Sequence, residues 1–192
     1  MTTMMNKPIS LSYPVTRVED GSITADALIS IRASVQNAHR FPEPIIHPSY
    51  QDKPILILRF DDIPVESFQR KDITWIGPTK NDVLMALDFA RHILAADRNT
   101  FIAVHCEKGK SRSAAIALAI TADYLGAGNE GDAVRMLLED DQEEMRCFNP
   151  GIIKMADEIL DRDGAIERAL MSQCKPFKSW LKYWERNLGY DL

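Results

Sequence analysis

Cys106 and Arg112, separated by five residues in His105-Cys106-Glu107-Lys108-Gly109-Lys110-Ser111-Arg112-Ser113, are the residues whose types and spacing could do chemistry. The spacing alone says little, but its context says more. Thr100-Phe101-Ile102-Ala103-Val104 reads as a buried strand running into the loop, and the alanine-rich stretch from Ser113 to Leu125 reads as a buried helix leading out. A strand–loop–helix turn aims successive backbone N–H groups into one concavity, and the helix N-terminus adds positive potential, which makes a cradle for a phosphate-like anion. The expected phosphate-binding residues are Glu107, Lys108, Gly109, Lys110, Ser111 and Arg112. Gly109 supplies dihedrals closed to other residues. Arg112 can hold two phosphate oxygens bidentately, which a lysine does less well. The same field favours the thiolate of Cys106, the form that attacks phosphorus. Ser113, or Ser111, can donate a hydrogen bond to the sulfur and steady it as a leaving group. His105 is expected to order the loop through its ring nitrogens rather than to act as a base.

The other two cysteines, Cys147 and Cys174, lack a basic or glycine-rich neighbourhood and read as structural thiols. No Cys-x2-Cys pair is present, so neither a disulfide framework nor a zinc site is implied, and no cofactor is expected. A net charge of −5 offers nucleic acid no overall basic surface. No apolar run reaches the length of a membrane span, so no stable membrane insertion is expected. Met1 to Pro8 lacks the apolar core of a secretory signal, and the expected location is the cytoplasm. With 192 residues, 45% of them hydrophobic, the chain reads as a single domain spanning 1–192.

The elements that must position the loop are legible as alternating strands and helices. Ile9 to Tyr13, Ala27 to Ala33 and Pro54 to Phe60 read as strands, the last as a fully buried one. Asn37 to Pro54 carries four prolines and reads as an irregular connection. Helical spacing starts near Pro78-Thr79 and continues through Val83, Leu84, Leu87, Ala90, Ile93 and Leu94. Asp132 to Glu139 and Pro150 to Leu160 read as further helices. Lys175 to Leu192, with Phe177, Trp180, Tyr183 and Trp184 at helical spacing, reads as an amphipathic helix docked on the body, with a partner-binding helix as the alternative. The expected fold is α/β, with a central, mostly parallel sheet of about four or five strands flanked by helices.

The loop resembles the His-Cys-x2-Gly-x2-Arg-Ser/Thr signature of the protein tyrosine phosphatase superfamily, in its small dual-specificity-like branch. Asn149-Pro150-Gly151-Ile152-Ile153-Lys154-Met155-Ala156-Asp157 is similar to a Pro-Asn…Leu-Ala-Asp segment of predicted bacterial tyrosine phosphatases, with Phe148 in place of the proline. The resemblance implies the cysteine-phosphatase fold, a phosphocysteine intermediate and no metal, with a minimal core over residues 55–160. It also implies a carboxylic acid on the loop after the strand that precedes the signature's strand. That places Asp62 as the general acid, with Asp61 in reserve; adjacent side chains on extended backbone point opposite ways, so one of the two faces the phosphate. Asn149 reads either as a residue that positions water or as a helix N-cap before Pro150.

Substrate choice rests on the variable loop residues. Lys110 resembles a basic position of phosphoinositide phosphatases, and Lys108 adds charge nearby. Against them stand Glu107, the acidic chain and the lack of a polybasic segment. A phosphotyrosine protein is the expected substrate, a phosphorylated lipid, inositol or other small molecule the alternative, and a non-catalytic phosphate-binding module the third reading. The oligomeric state is not legible.

Overall fold

The computed structural model describes residues 10–139, 141 and 145–188. In chain order its strands are β1 (Ser10–Pro14), β2 (Ala27–Arg32), β3 (Ile55–Arg59), β4 (Ser67–Arg70), β5 (Ile73–Ile76) and β6 (Ile102–Cys106). Its helices are α1 (Val15–Glu19), α2 (Lys80–Ala96), α3 (Arg112–Leu125), α4 (Glu130–Glu139), α5 (Pro150–Ile159), α6 (Ala165–Gln173) and α7 (Lys175–Leu188). Four strands form one sheet in the order β1-β6-β2-β3, and every pairing in it is parallel. The expected α/β class with a parallel sheet flanked by helices is the fold found.

The strand leading into the cysteine is buried along its whole length, because β6 lies between β1 and β2. The core therefore reaches back to Ser10, well before the 55–160 range suggested by the motifs, since the strands on either side of β6 come from the first 32 residues. β3 departs from expectation in another way. It is an edge strand rather than a fully buried one, and Ile55 and Ile57 remain 36% and 45% exposed while Leu58 is buried. An edge strand covered on one face shows this alternation even when its sequence is apolar throughout.

The helices form because their apolar residues recur on one face and their ends are capped. In α2, Val83, Ala86, Leu87, Ala90 and Leu94 are buried, Leu84 falls off that face and is exposed, and Thr79 with Asp82 makes a reciprocal capping box at its start. In α3 every residue from Arg112 to Ala122 is buried, and its alanines allow close packing on β1 and β6. α7 presents Phe177, Leu181 and Trp184 inward, as the aromatic spacing implies; residues 189–192 of the expected tail helix lie outside the described residues, as does Ile9 of the first strand. The short helix α1, helix α6 and the β4–β5 hairpin are elements that the periodicity did not bring out. The hairpin turns at Lys71, which has φ of 56°, without the glycine or asparagine that usually marks such a turn.

Asp157, buried on α5, accepts hydrogen bonds from the N–H groups of Ile166 (2.9 Å) and Glu167 (3.1 Å), so it caps α6 from a distance. Asp157→Ala leaves those donors unmet and is expected to lower stability by roughly 1–3 kcal/mol in urea unfolding.

Candidate active site

Because the four strands of the sheet run parallel, their C-terminal ends open on the same edge, the position where open α/β sheets bind ligands. The segments that follow these ends meet there around one cavity of about 290 Å³. Val15 and Glu19 come from α1, Arg32 and Ala33 from the end of β2, Asp61 and Asp62 from beyond β3, and Cys106, Glu107 and Arg112 from the loop after β6. Phe41, Pro42 and Trp75 complete its walls.

The loop itself is held by its carbonyls. The Glu107 carbonyl accepts from the N–H of Val15 (3.3 Å), and that of Gly109 from the Ser12 hydroxyl (2.8 Å). The Lys110 carbonyl accepts from the N–H groups of Cys147 (2.9 Å) and Phe148 (3.2 Å), and that of Ser111 from Asn149 (3.2 Å). A planar trans peptide puts the next N–H opposite each carbonyl. Holding these four carbonyls on the outside therefore turns the N–H groups of Lys108, Lys110, Ser111 and Arg112 to the concave side, which is the geometry of an anion cradle. Gly109 has φ of +69°, and a Cβ there would lie 2.4 Å from the backbone of Tyr13 and Pro14, so only glycine fits.

Cys106 Sγ lies 3.0 Å from the Ser113 hydroxyl, the partner expected from the sequence. Ser111 has a different partner: its hydroxyl donates to Asp62 Oδ1 at 2.7 Å, so it serves the carboxylate rather than the sulfur. Arg112 is buried, donates from Nη1 to the Phe60 carbonyl (2.9 Å), and keeps Nε without a partner among the described residues. One contact anchors the guanidinium, and the rest of its fork is left for an anion.

The two neighbouring aspartates have separate surroundings. Asp61, 2% exposed, accepts four hydrogen bonds, from the N–H (3.1 Å) and hydroxyl (2.7 Å) of Ser34, from Asn37 Nδ2 (2.7 Å) and from the N–H of Ile76 (2.9 Å). It ties the end of β2 and the hairpin to the loop after β3, a framework role. Asp62 is half-buried, and its Oδ1 accepts from Ser111 and from Asn149 Nδ2 (2.9 Å). Its Oδ2 has no partner among the described residues, so one oxygen is fixed and the other is available for a proton. Asn149 also caps α5, accepting from the N–H of Ile152 (3.2 Å), and donates to the Ile63 carbonyl (3.1 Å). It is thus an N-cap and a clamp on Asp62 at once.

Lys108 and Lys110 are placed apart from this cavity. They line a second hollow with Arg17, Tyr13 and Arg146, and neither is among the residues that line the thiol's cavity. Glu107 is exposed and lines the cavity of Cys106. His105 does not order the loop as expected. It is fully buried, and neither ring nitrogen has a hydrogen-bond partner among the described residues. Burial, seconded by Arg32 and Arg112 and opposed by the Cys106 backbone, pushes its pKa from 6.5 down to about 4. Cys147 is an inert thiol, pushed up to about 12 chiefly by burial and next by Asp62. Phe148 takes φ of 50° and donates its N–H to Lys110. A proline could do neither, so the departure from the bacterial motif at this position has a structural cause. Sequence reasoning missed Ser12, Ser34 and Asn37, small polar residues whose only signal is burial within apolar or turn-like segments.

No protein-family model matches the chain, and no curated protein matches it. Among solved structures it is similar to the human tyrosine phosphatase-like serine/threonine/tyrosine-interacting protein, with a TM-score of 0.56 and 21% identity, covering 80% of this chain and 91% of that one. It is similar to DUSP15, with a TM-score of 0.54 and 20% identity over 87% of this chain and 93% of that one. It is also similar to PTPMT1 in complex with PI(5)P, with a TM-score of 0.50 and 17% identity over 78% of this chain and 87% of that one. The chain has the fold of the tyrosine and dual-specificity phosphatases, as its loop signature implied.

The buried ring of His105 makes stability depend on pH. Below pH 6.5 the unfolded chain takes up a proton that the folded ring refuses until about pH 4, so this contribution is lost as pH falls through that window. The full loss is about 3 kcal/mol. Urea unfolding is expected to show a shallower decline on acidification for His105→Gln than for the parent.

Proposed function

We propose that the chain is a cysteine-dependent phosphatase that hydrolyses phosphate monoesters, with protein phosphotyrosine as its substrate, through a phosphocysteine intermediate. The Cys106 thiolate attacks phosphorus while the loop N–H groups and Arg112 hold the equatorial oxygens. The ester P–O bond breaks as Asp62 gives its proton to the departing oxygen. Asp62, now ionised, then takes a proton from water as that water attacks phosphorus, and the S–P bond breaks with Ser113 donating to the leaving sulfur. Asn149 and Ser111 position Asp62 through both steps.

The observation that carries the substrate reading is the division of side chains between the two hollows. The cavity that holds Cys106 and Arg112 has apolar and aromatic walls at Val15, Phe41, Pro42 and Trp75, which suit an aryl ring. Its rim also carries Glu19 and Glu107, which would repel the additional phosphates of an inositide, and Arg32, whose charge is met by Glu43, while Lys108 and Lys110 lie elsewhere. PTPMT1, similar in fold, is complexed with PI(5)P, and that makes the inositide the proper competitor in a test. Among the described residues no helix is long and apolar enough to cross a membrane. The proposed setting is the cytoplasm, where three free thiols stay reduced.

Cys106→Ser is expected to abolish turnover of phosphotyrosine peptides while still binding them in calorimetry; retained turnover would refute the intermediate. Asp62→Asn is expected to lower kcat roughly 100-fold or more on phosphotyrosine, and less on a substrate with a good leaving group. A loss at Asp61→Asn that matched it in kcat without loss of stability would move the acid to Asp61. In a panel of phosphotyrosine peptides, phosphoserine peptides and phosphoinositides, the first are expected to give the highest kcat/KM. Preference for inositides would overturn the substrate reading and leave the reaction chemistry standing.

A further inference from the structure

Beyond Ser113, a second buried hydroxyl continues the chain of hydrogen bonds from the nucleophile. Ser12, 3% exposed on β1, lies 2.8 Å from Ser113 Oγ and donates to the Gly109 carbonyl at 2.8 Å. Each hydroxyl has one proton to give. A carbonyl can only accept, so Ser12 spends its proton on Gly109. Ser113 must then donate to Ser12, and the oxygen of Ser113 is left to accept from the Cys106 S–H at 3.0 Å. With Ser12 donating to Gly109, a run of donors from sulfur to Ser113, from Ser113 to Ser12 and from Ser12 to Gly109 satisfies every contact, and that direction suits a protonated thiol; the sulfur–hydroxyl and hydroxyl–hydroxyl distances fit either direction.

A thiolate needs the opposite polarity. For Ser113 to donate to sulfur it must withdraw its proton from Ser12. Ser12 can keep contact with Ser113 only by donating to it, which releases the Gly109 carbonyl. Three hydrogen bonds serve the thiol state and two serve the thiolate state.

We propose that Ser12 is a positioning residue that sets the direction of the Ser113 hydroxyl and so ties the charge of Cys106 to the Gly109 peptide of the anion cradle. The assignment rests on Cys106 being the nucleophile of the reading above. Ser12 touches neither substrate nor sulfur and acts only through Ser113. The bond it forfeits when the sulfur ionises is the one to the cradle.

Other charges act on Cys106 as well. Arg112 on α3, Asp61 and Asp62 after β3, and Glu107 and His105 beside it all reach its cavity. Arg32, Glu19 and Glu43 lie further round the same walls, and Cys147 couples to it electrostatically. Substitutions at Ser12 and Ser113 leave all of these in place, so their influence cancels when variants are compared.

The test is the pH profile of Cys106 alkylation by iodoacetamide, followed on the Cys106 peptide by mass spectrometry, which reads the thiolate whether or not the protein turns over phosphate esters. Ser12→Ala removes one net hydrogen bond from the thiol state and is expected to move the midpoint down by roughly half a unit to one unit. Ser113→Ala removes the hydrogen bond to the charged sulfur, the stronger kind, and is expected to move it up. The double variant is expected to match Ser113→Ala, because Ser12 has no path to the sulfur without Ser113. An unmoved midpoint in Ser12→Ala, an upward shift there, or a Ser12 effect that persists in the double variant would overturn the proposal. If alkylation follows these expectations while no phosphate ester is hydrolysed, the relay stands and the proposed activity fails.

Discussion

The orientation of four peptide units after β6 is the constraint that the rest of the structure serves. A cradle of N–H groups requires the matching carbonyls to face away, into protein, where an unmet carbonyl costs about as much as a lost hydrogen bond. Two separate segments meet that demand. β1 and the start of α1 take the Glu107 and Gly109 carbonyls, and residues 147–149 take those of Lys110 and Ser111. This is a reason for β1 to lie beside β6, and a reason for the chain to pass close to the loop again ahead of α5. Phe148, a non-glycine residue in a left-handed conformation, is strained by roughly 1–3 kcal/mol in this role, and its complete burial offsets the strain.

The same constraint explains why two adjacent carboxylates come to different ends. The chain leaves β3 extended, so Asp61 and Asp62 diverge. The Asp61 carboxylate lies among four donors that join the end of β2 to the hairpin. Three of these donors meet Oδ2 and one meets Oδ1, so the carboxylate is tied to the framework by both oxygens. Asp62 meets Ser111 and Asn149, both of which belong to the machinery that holds the loop. The proposed acid is therefore registered against the same backbone that would hold the phosphate.

How much of this was legible follows from the range of the interactions. The cysteine, the arginine, Gly109 and the strand and helix around them are local, so type and spacing disclose them. β3 was legible as a strand but not as an edge, because edge position is set by which strands pair, and an apolar run reads alike in either place. The hairpin escaped notice because Lys71-Asp72 is a poor turn signal and the hairpin is anchored at its far end, where Ile76 meets Asp61. The outward placement of Lys108 and Lys110 was hidden for the same kind of reason. A lysine in a phosphate loop reads as a phosphate ligand until the hollow lined by Arg17 and Arg146 is seen behind it. Ser12 gave no signal, since a serine in a short strand looks like ordinary alternation.

Reaction and selection are built from different materials. The groups that would act on phosphorus stand on strand ends and a helix N-terminus, fixed by the buried sheet. The walls that would meet the rest of the substrate come from residues 41–44 and from Trp75 on the hairpin. Glu43 holds the first of these walls in place by ion pairs to Arg32 on β2 and Arg59 on β3, and Glu19 of α1 accepts from the N–H of Ile45. Glu43 is about half exposed, so these pairs are individually weak, and their use is to set where Phe41 and Pro42 stand over the cavity. Because β2 pairs with both β3 and the strand that bears the thiol, the wall and Cys106 share one reference frame, and sheet geometry helps set the width of the cleft between them.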